Sequence, residues 1–390
     1  MLFLTIIFLF FISFSISKEK SDVYTNYLSK VNYKYKRNTN PVRRVGWKFP
    51  LKYYVRLGVN RTVIRLALKR FEESTCLQFI QVESIPKNEQ GLLFISDNYC
   101  SSFVGNKVGD NFQEIKVGGI CKTDIGKMQQ TIGYALGMIN QQTRPDRDEY
   151  IQINLNNVGD LYKENFKIAN LSTKALYGMS YDFASMMQLG VYALSRNGQP
   201  TTEAKISQYN GMIGQSVDFS FNDYKLLNLH YCSHICTVRV NCLYGGYQDR
   251  KSCEKCKCPY GLAGPTCKKI QQSDRKCGTT ELTASLEFQD LEIKGVANCT
   301  FRITTEVFKR IKLMIANVKT KDSKPCLENN GFEIKYRNDK GAAGLRLCGD
   351  YKNIRLESEG NFIIVTYIGQ YSVNLMNIKY RATVKNFYKS

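Results

Sequence analysis

The stretch Gln130-Thr131-Ile132-Gly133-Tyr134-Ala135-Leu136-Gly137-Met138-Ile139-Asn140 sets three polar side chains, Gln130, Tyr134 and Asn140, at a fixed spacing around one glycine. Positions 130 and 134 are one helical turn apart and so share a face. Gly137 stands where a turn would end the helix, and Asn140 lies just beyond it. Met128, Ile132, Ala135, Leu136 and Ile139 also recur at helical spacing, so one side of the segment can pack into a core.

This is the frame of H-E-x-x-H-x-x-G-x-x-H, in which three His hold zinc and the Glu is the general base. Here Gln130, Tyr134 and Asn140 stand at the ligand positions and Thr131 at the base position. Zinc takes imidazole, thiolate or carboxylate, for which a carboxamide or an un-ionised phenol substitutes poorly. Losing one supporting partner of a ligand already costs roughly 10–100-fold in affinity. Catalytic zinc lowers the pKa of its bound water from 15.7 to about 7, equivalent to about 12 kcal/mol. No G-x-S-x-G offers a replacement nucleophile. The residues therefore predict no catalytic residue, no cofactor and no enzyme activity. If the scaffold persists, the side chains of Gln130, Tyr134 and Asn140 should still converge on one spot.

Flanking segments carry a family resemblance. Gln142-Thr143-Arg144-Pro145-Asp146-Arg147-Asp148-Glu149-Tyr150 resembles the R-x-D-R-D segment of astacin-type zinc metalloendopeptidases, and Tyr181-Asp182-Phe183-Ala184-Ser185-Met186-Met187 resembles their Met-turn, with Met187 as its methionine. Thr75-Cys76-Leu77-Gln78-Phe79 and Cys100-Ser101-Ser102-Phe103-Val104-Gly105 are similar to two further astacin signatures. The family places a metal-site Tyr two residues after the Met-turn methionine, where this chain has Leu189, and a Glu after the third His, where it has Gln141. With Gln130, Thr131, Tyr134 and Asn140, six functional positions are altered at once.

The resemblance implies an α+β fold: a metzincin-type, astacin-like domain over 45–233, a small disulfide-rich EGF-like module over 234–269 and a β-sandwich CUB domain over 277–388. It also implies the pairing of the fourteen cysteines as Cys76-Cys232, Cys100-Cys121, Cys236-Cys253, Cys242-Cys256, Cys258-Cys267, Cys277-Cys299 and Cys326-Cys348. His230 and His234, with Cys232 and Cys236, form an H-x-C-x-H-x-C cluster that zinc could use, but in an oxidising compartment disulfides are the better assignment. The 330–333 and 370–374 segments lack the acidic set with which many CUB domains bind calcium.

Compartment and charge complete the reading. Residues 1–17 are an apolar run ending in small residues, read as a signal peptide, with a short signal anchor as the alternative. Residues 18–44 resemble a basic propeptide ending in Arg43-Arg44, or else an arm that is never cut. Asn60, Asn170 and Asn298 each begin an N-x-S/T glycosylation triplet. The net charge of +21 favours polyanions such as sulfated glycans, although it also suits any basic secreted protein; no nucleic-acid-binding motif appears and nothing in the mature chain could span a bilayer. Leu51–Leu57, Leu77–Val82 and Leu92–Ser96 read as strands and Arg61–Glu73 as a helix, while Arg310–Val318, Phe332–Tyr336, Phe362–Tyr367 and Val373–Val384 read as strands of the sandwich. The expectation is a secreted astacin-like pseudo-protease that binds peptides, inhibitors or matrix and glycan partners. The alternatives are an active zinc metalloendopeptidase with atypical ligands and an adhesive extracellular ligand acting through its CUB domain and basic charge.

Overall fold

The computed structural model describes residues 46–170 and 176–384. The signal and basic segments, Leu171 and Ser172 of the second glycosylation triplet, and residues beyond 384 lie outside the described residues.

The N-terminal half is built on a sheet of β1 (Leu51–Val55), β2 (Phe79–Gln81), β3 (Gly91–Ser96), β4 (Ser101–Ser102) and β5 (Phe112–Val117), ordered β2-β1-β3-β5-β4. All pairs are parallel except β4 with β5. Helix α1 (Arg61–Ser74) crosses from β1 to β2. The Asn60 carboxamide caps it by accepting from Thr62 N and Val63 N, and it buries the stripe Val63, Ile64, Ala67, Leu68 and Phe71. Gly91 to Phe94 of β3 are buried without alternation, as befits a parallel strand covered on both faces. Helices α2 (Ile125–Ala135) and α3 (Phe221–Tyr231) complete this half, and Phe71, Phe94, Ile115, Met128 and Ile132 share its core.

Among the described residues between α2 and α3 regular structure is sparse: short 3-10 turns and one antiparallel pair, β6 (Ile151–Ile153) with β7 (Thr202–Ala204). Buried backbone still needs partners. Arg147 Nη1 supplies them to the carbonyls of Gln142 and Phe166, and Arg144 Nη2 to that of Met179, at 2.9 Å.

The cysteine-rich stretch holds two miniature hairpins, β8 (Tyr247–Gln248) with β9 (Cys256–Lys257) and β10 (Leu262–Ala263) with β11 (Lys269–Ile270). Its buried cluster is only Leu262, two half-cystines and Ile364 borrowed from the next region, so three bridges, Cys236–Cys253, Cys242–Cys256 and Cys258–Cys267, stand in for a core.

The C-terminal region is a two-sheet sandwich of β12 (Glu281–Thr283), β13 (Gln289–Lys294), β14 (Ala297–Thr304), β15 (Lys309–Lys319), β16 (Gly331–Lys335), β17 (Leu345–Leu347), β18 (Asp350–Glu357), β19 (Phe362–Gly369) and β20 (Leu375–Val384). The sheets run β12-β14-β19-β16-β17 and β13-β20-β15-β18. β20 alternates half-buried and buried residues along nearly its whole length, as a strand with one solvated face should. β16 does not: all five of its residues are buried. The N-terminal half covers its outer face. Cys326 N donates to Gly211 O at 2.8 Å, Arg346 N to Met212 Sδ at 3.4 Å, and Tyr209 OH to Tyr336 OH at 3.2 Å. Tyr181, Phe183, Tyr209 and Met212 join Phe332, Ile334 and Leu345 in one apolar cluster. Among the described residues no helix is long and apolar enough to cross a membrane.

Candidate functional site

Helix α2 is buried almost throughout, and its glycines let it sit that deep. A β-carbon at Gly126 would meet Ser216 O at 1.7 Å, and one at Gly133 would meet the Phe219 ring at 2.7 Å. Asp124 caps its start through Lys127 N. Gly137, at φ +94°, ends it. The turn is closed by bonds from Gly137 N to Tyr134 O and from Met138 N to Gly133 O, a glycine stop of the left-handed kind.

Beyond this turn the chain returns along the helix, and Gln141 N donates to Met187 O at 3.0 Å. Asn140 thereby meets α2: Tyr134 OH donates to Asn140 Oδ1 at 2.5 Å. Gln130 does not join that pair. Its Nε2 donates to Met186 O at 2.6 Å, while its Oε1 accepts from Lys127 Nζ at 3.3 Å. All three side chains are nearly sealed from solvent, at 2 or 3% exposure, so they brace the helix to the Met186-Met187 turn rather than face open water.

Thr131 points elsewhere. Its hydroxyl bonds back to Lys127 O at 2.8 Å and lies 3.5 Å from Cys121 Sγ of the Cys100–Cys121 bridge. Leu189 packs with Val158, Phe166 and Leu194 in a separate apolar cluster. Gln141 Oε1 is buried with no hydrogen-bond partner among the described residues. Arg144 grips Asp146 through two bonds of 2.8 Å, so the R-x-D-R-D-like segment clamps its own loop. Cys232 and Cys236 are bridged to Cys76 and Cys253, and His230 lies edge-on to Tyr231 with Nδ1 3.1 Å from Tyr177 OH.

Two residues that sequence reasoning passed over complete the site. Lys127 lies one turn before Gln130 on the same helix, and burial holds its ammonium below the usual lysine range despite the pull of Asp124. The i, i+3 spacing signals it. Asp223, in α3, accepts from Ser185 Oγ at 2.6 Å and from Met186 N at 2.9 Å and so pins the turn. The Ser220-x-x-Asp223 capping box that starts α3 marks it in sequence.

Burial pushes Asp223 up to about 7, with the nearby Asp182 adding to it and bonds from Ser185, Ser220 and Met186 opposing it. An acid whose folded pKa exceeds its unfolded value makes the folded state bind more protons in between. Its contribution to stability is therefore full below the ordinary value of 3.8 and is lost as pH rises to about 7. We expect the difference in urea midpoint between the wild type and Asp223→Asn to change in the variant's favour from pH 4 to pH 7. A pH-independent difference would refute the assignment.

A parallel-rich sheet backed by helices, a glycine-ended motif helix and a methionine turn beneath it define a metzincin-type peptidase domain. The family model for Astacin peptidases matches residues 38–232, and the chain belongs to the astacin family. It is similar to Zinc metalloproteinase nas-34 of Caenorhabditis elegans, at 32% identity over 86% of this chain and 55% of that protein, and to Zinc metalloproteinase nas-30 of the same organism, at 33% over 74% and 38%. The chain thus spans about half the length of these relatives, or less. Among solved structures it resembles High choriolytic enzyme 1, a hatching enzyme zinc-protease from the medaka Oryzias latipes, at 27% identity, covering 47% of this chain and 88% of that one, with a TM-score of 0.42.

These findings correct the expectation that the chain is not an enzyme. A peptidase-family model fits the half that carries the altered motif, and the relatives are named zinc metalloproteinases. The substitutions alone do not remove the chain from an enzyme family. The family implies zinc, and the motif residues do not fit it: two carboxamides and a phenol, each already hydrogen-bonded within the fold, are not the donors this ion takes.

Proposed function

We propose that this astacin-family chain works outside the cell by binding polypeptides, with an EGF-like spacer and a CUB-type sandwich as additional contact surface. The observation that carries this reading is the closed polar set of α2. Gln130 bonds to Met186 O and Lys127 Nζ, and Tyr134 to Asn140, so the motif positions serve the scaffold. Seven disulfides support an oxidising, extracellular setting. The net charge of +21 adds affinity for sulfated glycans. Asn60 and Asn298 are exposed, which supports glycosylation there, although the Asn60 amide nitrogen already donates to Lys122 O at 3.1 Å.

Peptide-bond hydrolysis is the second reading, favoured by the relatives' names. A library of unstructured peptides passed over the immobilised full chain, with and without a zinc chelator, separates the two. Saturable retention unchanged by the chelator is the expected result. Chelator-sensitive cleavage with stoichiometric zinc in the protein would establish the second reading, and absence of retention would defeat the first.

A further inference from the structure

Cations are unevenly matched across this molecule. On the sandwich, Lys294, Arg302, Arg310 and Lys379 each face a carboxylate, those of Glu292, Glu281, Glu357 and Asp290, whereas the exposed Lys312, Lys319, Lys352 and Arg355 pair with none among the described residues. Residues 238–257 of the cysteine-rich stretch concentrate such cations: Arg239, Arg250, Lys251, Lys255 and Lys257 stand against only Asp249 and Glu254. None of these five cations forms an ion pair with a carboxylate of the described residues.

The fold holds them together. Gln248 Nε2 donates to Val238 O and to Cys253 O, each at 2.7 Å, tying three strands of chain into one knot. Asp249 N donates to Lys255 O at 2.9 Å, and the bridges Cys236–Cys253 and Cys242–Cys256 lock the same segments. Asp249 spends a carboxylate oxygen on Lys251 N. Arg250 reaches Gln248 Oε1 through Nη1 at 3.4 Å, but its buried Nε has no partner among the described residues. Lys257 Nζ leans on Ser74 O at the end of α1. The crowding registers on the groups themselves: burial and then Arg239 hold Arg250 below its ordinary range, while Lys257 is lowered chiefly by burial, with Lys251 adding to it against Asp249.

We propose that this face of the cysteine-rich hairpin, with Arg239, Arg250, Lys251, Lys255 and Lys257, is a binding site for sulfated polysaccharide. Five cations on segments held together by two bridges and the Gln248 bonds suit sulfates repeated along a chain better than one small anion. Guanidinium forks match sulfate oxygens in pairs, and the exposed Arg239 offers one. Single-stranded nucleic acid would need rings on which to stack. The two tyrosines here are engaged, Tyr244 against Phe362 at 4.6 Å and Tyr247 against Phe221 at 5.2 Å. The proposal rests on the extracellular reading above and adds a specific address to it.

The test compares the full chain with Arg239→Gln/Arg250→Gln/Lys251→Gln/Lys255→Gln, measuring affinity for size-defined heparin fragments over a salt series. The control removes the same number of exposed cations from the sandwich, Lys312→Gln/Lys319→Gln/Lys352→Gln/Arg355→Gln. We expect the hairpin variant to bind roughly ten- to hundredfold more weakly with a shallower salt dependence, and the control to stay close to wild type. Equal losses in both variants, or none in the hairpin variant, would overturn the proposal. So would binding to single-stranded DNA or to phosphatidylserine vesicles that matches heparin in strength and in dependence on these residues. Peptide retention by the hairpin variant keeps the two readings apart: glycan binding unaffected while peptides are retained defeats the site alone.

Discussion

Arg337→Met is expected to lower the free energy of unfolding by about 3–5 kcal/mol, the range for removing one member of a buried charged set. Arg337 belongs to the sandwich but works on the peptidase-type half. Its Nη1 donates to Tyr181 O at 2.7 Å, its Nη2 donates to Ala343 O at 3.1 Å, and its guanidinium lies 5.8 Å from the rings of Tyr150 and Phe183. Beside it lies the fully buried Asp182, whose Oδ1 accepts from Ala343 N at 3.2 Å and whose Oδ2 has no hydrogen-bond partner among the described residues. Methionine keeps much of the volume yet leaves two carbonyls unpaired and removes one of the two guanidinium charges, Arg337 and Arg346, that act on Asp182. The unfilled carbonyls alone cost about 1–3 kcal/mol each. Arg337→Lys should recover only part of the loss, because an ammonium restores the charge but not the fork that spans Tyr181 O and Ala343 O. Urea unfolding at neutral pH measures both variants. A loss below about 1 kcal/mol for the methionine variant would mean that the residue acts like a surface charge and that the two regions do not share a core.

That interface explains why the sequence was readable in some places and opaque in others. The strand at 51–55 and the helix at 61–74 announce themselves because each buries one periodic stripe against its own half, and the strand at 91–96 because it is a short apolar run covered on both faces. β15 and β20 bury such stripes in the sandwich, β19 is buried almost continuously, and all three are marked by apolar and β-branched runs. Glu333, Lys335, Arg337, Lys340 and Arg346 could not be read this way. Charged residues in and around strands predict solvent, and only the packing of a distant segment buries them. Their charges are offset within the interface: Glu333 meets Arg346 at 3.1 Å and Lys335 at 3.4 Å, while Lys340, pushed down to about 7 chiefly by burial, lies 4.3 Å from the Phe362 ring. The motif helix shows the same divide. Its glycine stop and its spacing were legible, because Gly137 needs a positive φ whatever surrounds it. The destination of the Gln130 amide was not, since Met186 O lies 56 residues away in sequence. Nor could the motif alone fix the class of the chain, because family membership rests on the whole domain.

The second large effect concerns the bridge that closes this domain. Cys76 follows the end of α1, Cys232 caps α3, and the 156-residue separation between them makes this the longest loop that any of the seven bridges closes. In the loop-entropy account, reopening a loop of that length lowers stability by about 5 kcal/mol, against about 3 kcal/mol for a loop of some 15 residues. Cys76→Ala/Cys232→Ala should therefore destabilise the N-terminal half more than Cys258→Ala/Cys267→Ala, whose separation is 9, destabilises the protein as a whole. Local geometry reinforces the ranking. Cys232 is fully buried, Asn228 of the same helix donates to Ser74 O at 3.0 Å, and Lys257 reaches that same carbonyl at 3.2 Å, so the bridge sits where α1, α3 and the cysteine-rich hairpin meet. Its loss should loosen the end of α3 and, through Asp223, the Met186-Met187 turn. Hydrogen exchange can follow this directly: amides of 185–188 should lose protection in the Cys76/Cys232 variant and keep it in the Cys258/Cys267 variant. Equal protection in both would show that Asp223 holds the turn without help from the bridge, and that the motif helix and the domain's closure are independent features of the fold.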